Sequence, residues 1–193
     1  DIADLMVKMD NGRGGTTMIK YRPSTEKSAY TPSFTAEQLQ SIPFIIPVIY
    51  EVSVSDGMGN TTKMGYTFDG GKFETNSREF RGFEVARVYD ADGNTIEHYF
   101  YQFDKKQSDE GDWEFKGKVY KKIIKDAYGK TYAVSQTKWT NLVPYNNIFF
   151  ATVKEQIDQV YEGDETFKET KTAFEYDPYG NLAKIFEYAD TSY

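Results

Sequence analysis

Asp90-Ala91-Asp92-Gly93-Asn94, preceded by Gly82 to Tyr89 and followed by Thr95 to Phe103, is the stretch whose reading decides the fold. Both flanks are rich in Val, Ile, Thr and aromatic residues, which suit a pleated strand. The five residues between them form a reversal: Asp can bond the backbone two residues on, and Gly takes the positive φ that closes a four- or five-residue connection without Cβ strain. The pattern of Asp, two residues, Gly, then Asn or Lys recurs at Asp56 to Asn60, Asp126 to Lys130 and Asp177 to Asn181. Asp56, Gly59, Asp90, Gly93, Asp126, Gly129, Asp177 and Gly180 are therefore the expected structural turn residues. The Asp positions lie 34, 36 and then 51 residues apart. Turns of similar role are read at Glu162-Gly163-Asp164 and at Asp69-Gly70-Gly71.

Working outward, composition agrees with strands. There are 16 Tyr and 14 Phe, while Leu occurs only at positions 5, 39, 142 and 182, a usage that favours a pleated surface over a helix. The fold expected is all-β, with successive antiparallel β-hairpins forming an extended curved sheet and one short helix at most. That helix is read at Ala36 to Ser41, capped by Thr35, with Gln38 completing a capping box and Pro43 stopping it. Arg22 to Phe34, with Pro23 and Pro32 among polar residues, reads as a loop, as does the charged Asp104 to Gly111. Alternation within strands is imperfect: Arg87 shares the parity of Phe83, Val85 and Tyr89, and Lys184 that of Leu182, Phe186 and Tyr188. With a mean hydropathy of −0.66, this describes a sheet with one wet face over a thin core. An ordinary β-sandwich is the competing architecture, but repeated hairpins fit a long sheet better.

The 193 residues suffice for one domain or for a slice of a larger sheet assembly. The chain, starting at Asp1, is read as a single β-rich segment, 1–193, excised from a larger polypeptide. A formal charge of −7, from 23 Lys plus Arg against 30 Asp plus Glu, gives no basic face for nucleic acid or anionic lipid. Membrane insertion is not expected either, since the most apolar stretch, Ile42 to Tyr50, is short and broken by Pro43 and Pro47. The absence of Cys removes disulfides, Cys-ligated metal sites and thiol nucleophiles.

Candidate chemistry is sparse, and no catalytic, cofactor-binding or metal-binding residue is assigned. His98, the one histidine, lies in a predicted strand among Glu97, Tyr99 and Phe100, where a cross-strand packing role outweighs that of a catalytic base. Paired carboxylates for glycoside hydrolysis have no two acids singled out by their surroundings. Asp90, Asp92, Asn94 and Glu97 resemble a calcium loop only superficially, because Gly falls at the fourth position and no acid occupies the twelfth. Gly12-Arg13-Gly14-Gly15 lacks the Lys-Ser/Thr and the helix of a phosphate cradle, so a tight turn accounts for it better. Trp113 and Trp139 are the candidates for stacking on sugar rings, but regularly spaced aromatics in hairpins more often form cross-strand ladders.

Three stretches carry a family resemblance. Asn11-Gly12-Arg13-Gly14-Gly15-Thr16-Thr17, leading to Tyr21-Arg22-Pro23-Ser24, resembles the start of the middle region of insecticidal toxin-complex B components. Arg78-Glu79-Phe80-Arg81-Gly82-Phe83, followed by a hairpin ending Tyr99-Phe100-Tyr101-Gln102, is similar to the most characteristic stretch of that region, shared with plasmid-virulence proteins. Phe174-Glu175-Tyr176-Asp177-Pro178-Tyr179-Gly180-Asn181 resembles a tyrosine-aspartate (YD) repeat of the Rhs family. The resemblance spans about Asp10 to Asp190, with no clear motif over Lys105 to Phe115 or Asn141 to Val160.

The resemblance implies a bacterial virulence protein, secreted or at the cell surface, in which long β-sheets wind around a chamber holding a toxic polypeptide. This chain would be a non-catalytic piece of the wall. Its partners would be neighbouring segments of the parent shell and, through the parent, an effector and a translocation-pore component. A free-standing binding module for glycans or host surface proteins is the alternative. As an excised wall piece, the chain is expected to pair its edge strands with another copy or to guard them with charge, as the Lys121-Lys122 pair could do.

Overall fold

The structure, a computed structural model, describes residues 4–32, 42–75, 77–102, 115–145, 148–163 and 165–190. The expected helix at Ala36 to Ser41, the charged loop at Asp104 to Gly111 and Trp113 lie outside these residues. Among the described residues there are fourteen strands and no α-helix; twelve of the strands form a largely antiparallel open sheet. The chain forms two compact units, 1–96 and 97–193.

The first unit contains β1 (Lys8–Asp10), β2 (Thr16–Pro23), β3 (Tyr30–Thr31), β4 (Pro47–Ser55), β5 (Thr61–Asp69), β6 (Phe73–Glu74), β7 (Glu79–Phe80), β8 (Val85–Tyr89) and the start of β9 (Thr95–Phe100). Antiparallel pairing runs β1-β2-β4-β5-β8. Two departures break the simple run of hairpins. β3 pairs with β5 in parallel, and β6 and β7 form a two-stranded sheet of their own between β5 and β8. Asp69-Gly70-Gly71, read as a hairpin turn, instead carries the chain from β5 into that excursion, and β5 finds its partner in β8.

The stretch from Arg22 to Phe34, read as a loop, contains the end of β2, all of β3 and two buried residues, Ala29 and Tyr30. It is pinned because the Tyr30 hydroxyl accepts a hydrogen bond from the Gly71 amide at 3.1 Å, while its ring packs 5.8 Å from Phe83. Phe83 also meets Phe68 at 4.7 Å and Phe80 at 5.5 Å, so this one side chain joins β3, β5 and β7. Flanking it, Arg81 is buried against Glu79 at 3.1 Å, and Arg87 pairs with Asp69 across β8 and β5.

The second unit continues β9 into β10 (Val119–Lys125), β11 (Thr131–Tyr145), β12 (Ile148–Tyr161), β13 (Phe167–Tyr176) and β14 (Leu182–Tyr188), paired antiparallel in chain order. Its densest packing is aromatic: fully buried Phe115 lies 5.6 Å from Tyr101, which lies 4.9 Å from Tyr120. Beyond that cluster Tyr161 of β12 meets Phe167 of β13 at 5.2 Å, and Lys138 and Lys171 pair with Glu155 across β11, β12 and β13. Every residue of β14 is exposed, including Leu182, Ile185, Phe186 and Tyr188. Lys121 and Lys122, expected to guard an edge, lie in β10 opposite Gln136 and Ser135 of β11, so they occupy a strand already paired on that side. The sequence placed charge correctly on a strand but gave no means of ranking strands from edge to centre.

Candidate functional site

The recurring element of the chain is a self-braced turn. In Asp90 to Asn94 the Asp90 amide donates to the Asn94 carbonyl at 3.0 Å and the Gly93 amide to the Asp90 carbonyl at 3.2 Å. These bonds define a three-residue hairpin loop: a turn followed by a residue of positive φ, which at Gly93 is +86°. The carboxylate completes the brace. Its Oδ1 accepts from the Asp92 and Asn94 amides, both at 2.9 Å, and its Oδ2 from the Asn94 side-chain amide at 2.8 Å.

The other three copies repeat this. Asp177 Oδ1 accepts from the Tyr179 and Asn181 amides at 2.9 Å each, and its Oδ2 from Asn181 Nδ2 at 3.0 Å. Asp56 does the same with Met58 at 2.7 Å and Asn60 at 3.1 Å. Asp126 accepts from Tyr128 and Lys130 at 2.9 and 2.8 Å. Gly59, Gly129 and Gly180 have φ of +104°, +84° and +89°. At Asp56, Asp90 and Asp177 the side-chain amide of Asn60, Asn94 or Asn181, ahead of the backbone amides, holds the carboxyl below its ordinary range. These carboxylates are thus ionised and engaged by the turns they head.

A fifth turn of the same build sits at Asn11 to Gly15, where the expected tight turn is headed by Asn11. The Asn11 amide donates to the Gly15 carbonyl at 3.0 Å. Asn11 Oδ1 accepts from the Arg13 amide at 2.8 Å and the Gly15 amide at 3.0 Å, and Gly14 has φ +91°. The spacing of Asn11, Gly14 and Gly15 was the available signal, obscured because Asn replaces Asp at the head. Antiparallel pairing of β2, β4, β5 and β8 brings the turns headed by Asn11, Asp56 and Asp90 to one end of the first unit's strands. In the second unit three strands separate the turn at Asp126 from that at Asp177, so these two lie at opposite ends. The longer 51-residue interval in sequence is this odd number of strands.

The residues considered for chemistry have other partners. His98 is half-buried, stacked on Phe100 at 6.4 Å, with burial first and Lys122 second lowering its pKa. Glu97 is buried and binds Lys125 at 2.9 Å and the Tyr99 hydroxyl at 2.9 Å. Trp139 donates its indole N–H to the Val119 carbonyl at 2.9 Å and carries Lys118 5.0 Å from its ring centre. Glu155, which the sequence does not single out, accepts from Lys138 at 2.8 Å and Lys171 at 2.7 Å, which together pull its pKa down to about 2. Among the described residues no three His, Cys, Asp or Glu are grouped to hold a metal.

Strands joined by turns that brace themselves define a repeated-hairpin β protein, in which the recurring polar groups secure strand ends. The chain belongs to the family described as insecticide toxin TcdB middle/N-terminal region, whose model matches residues 3–108. Its fold is similar to that in the crystal structure of TcdB2-TccC3-TEV, with a TM-score of 0.72, 16% identity, and 94% of this chain and 12% of that chain covered. The crystal structure of TcdB2-TccC3 gives a TM-score of 0.70 at 16% identity over 92% of this chain and 12% of that one. The Photorhabdus luminescens Tc holotoxin pore gives 0.70 at 15% identity, covering 92% and 11%. The chain therefore spans about an eighth or less of the solved chains it matches. No curated protein matches it.

Proposed function

We propose that this chain is one segment of the wall of a larger toxin-enclosing β-shell and carries no catalytic step. The observation that carries the reading is the turn brace repeated at five places: each head residue commits a side-chain oxygen to the backbone amides of its own loop, which fixes strand ends. A wall extends by adding hairpins, and a turn that closes itself needs no help from neighbouring segments. Membership of the toxin family supports the same reading. Under this proposal the partners are adjoining segments of the parent and, through it, an enclosed effector and a translocation pore, and the parent is secreted or displayed at the cell surface.

The glycan-binding alternative draws less support. Trp139 is half-buried, with its N–H committed to Val119 and Lys118 over its ring, so it does not offer the open flat face on which a sugar stacks. Protease treatment of the full-length parent tests the shell reading. The effector is expected to stay uncut until the shell is denatured, whereas digestion at the rate of the isolated effector contradicts it.

A further inference from the structure

We propose that Asn11 is a site of spontaneous self-modification, in which the Gly12 backbone nitrogen displaces the Asn11 side-chain amide as ammonia. The turn supplies the parts that an acyl-transfer reaction needs. The electrophile is Asn11 Cγ, and its oxygen Oδ1 already sits between two backbone donors, Arg13 N at 2.8 Å and Gly15 N at 3.0 Å. Negative charge develops on that oxygen when Cγ is attacked, so the two amides form an oxyanion hole.

The nucleophile is the Gly12 amide, whose hydrogen is held by Asp10 Oδ1 at 2.8 Å. Asp10 is placed to act as general base on that proton. Gly12 has no side chain to hinder ring closure and nothing within 4 Å of where a Cβ would stand, and both Asn11 and Gly12 are exposed. The bond formed is Gly12 N to Asn11 Cγ, and the bond broken is Asn11 Cγ to Nδ2. The amide proton passes by way of Asp10 to the departing nitrogen, leaving a five-membered succinimide. Solvent water then opens this ring to aspartate or isoaspartate, without change of oxidation state.

The consequence depends on which way the ring opens. Aspartate converts this turn to the Asp-headed form of the other four and adds a negative charge beside Asp10. Isoaspartate inserts a methylene into the backbone and breaks the closure between Asn11 N and Gly15 O. The chain contains its own controls, because Asn60, Asn94 and Asn181 end their turns, donate their side-chain amides to Asp56, Asp90 and Asp177, and precede Thr61, Thr95 and Leu182.

The test is incubation of the intact folded chain at neutral to mildly alkaline pH, followed by digestion and mass measurement of the peptides. Asn11 is expected to gain the mass difference between amide and acid about tenfold faster than Asn60, Asn94 or Asn181, and Asp10→Asn, which keeps an acceptor but removes the base, is expected to slow it severalfold. Equal rates at the four asparagines would overturn the proposal, as would an Asp10→Asn chain that reacts as fast as the unaltered one.

Discussion

Gly57 and Gly14 meet backbone to backbone: a Cβ on Gly57 would stand 2.4 Å from the Gly14 carbonyl oxygen. The turns headed by Asn11 and Asp56 are therefore packed against each other through two residues without side chains. Gly59, in the same turn, has nothing within 4 Å of its Cβ position and a φ of +104°. Gly59→Ala is thus expected to cost about 1–2 kcal/mol from backbone conformation alone. Gly57→Ala adds a clash with main chain and should cost visibly more. Thermal or denaturant unfolding of the two variants checks the order, and equal losses would show that the turns do not touch.

Phe83 joins three strands of the first unit through its contacts with Tyr30, Phe68 and Phe80. Phe83 is half-buried, so Phe83→Ala should destabilise that unit by about 2 kcal/mol, less than truncation of a fully buried aromatic. Hydrogen exchange is the suitable readout, with early loss of protection expected in β3, β5 and β7.

Glu155 links β11, β12 and β13 through Lys138 and Lys171. Its carboxyl titrates at about 2 in the folded chain against an ordinary value of 4.5, so folding favours the charged form. The stabilisation is complete above pH 4.5 and is lost as pH falls through about 2. Glu155→Gln should cost about 1 kcal/mol at neutral pH, after allowance for solvent screening. The difference from the unaltered chain should shrink toward zero in acid, which melts recorded down to that range would reveal.

Asp177 holds its loop through two backbone amides and the Asn181 side chain. Asp177→Ala should lower the melting temperature more than Asp177→Asn, because Asn keeps an Oδ1 for the two backbone donors, as Asn11 does in the first turn. Identical melting temperatures for the two variants would show that the brace does not hold the turn.

The strands and their reversals were readable because they depend on local chemistry. A positive φ needs Gly, and an orphan pair of turn amides needs a short side-chain acceptor. The tight turn at Gly12 to Gly15 was readable too, but its likeness to the other four was hidden because Asn11 rather than Asp heads it. Tertiary relationships were not readable at all. Nothing near Tyr30 announces that it will be buried under Phe83, nor does Asp69-Gly70-Gly71 reveal that the chain makes an excursion through β6 and β7 before pairing β5 with β8. Lys121 and Lys122 show the same limit, since rank within a sheet depends on partners far away in the chain. The Lys138, Glu155 and Lys171 triad is invisible for that reason too: its members come from three strands and meet only through their register.

Electron microscopy of the full-length parent tests the wall assignment most directly. The account predicts a closed, hollow particle with this segment embedded in its β-sheet wall and additional density inside. A string of separate domains with this segment exposed on all sides would contradict it.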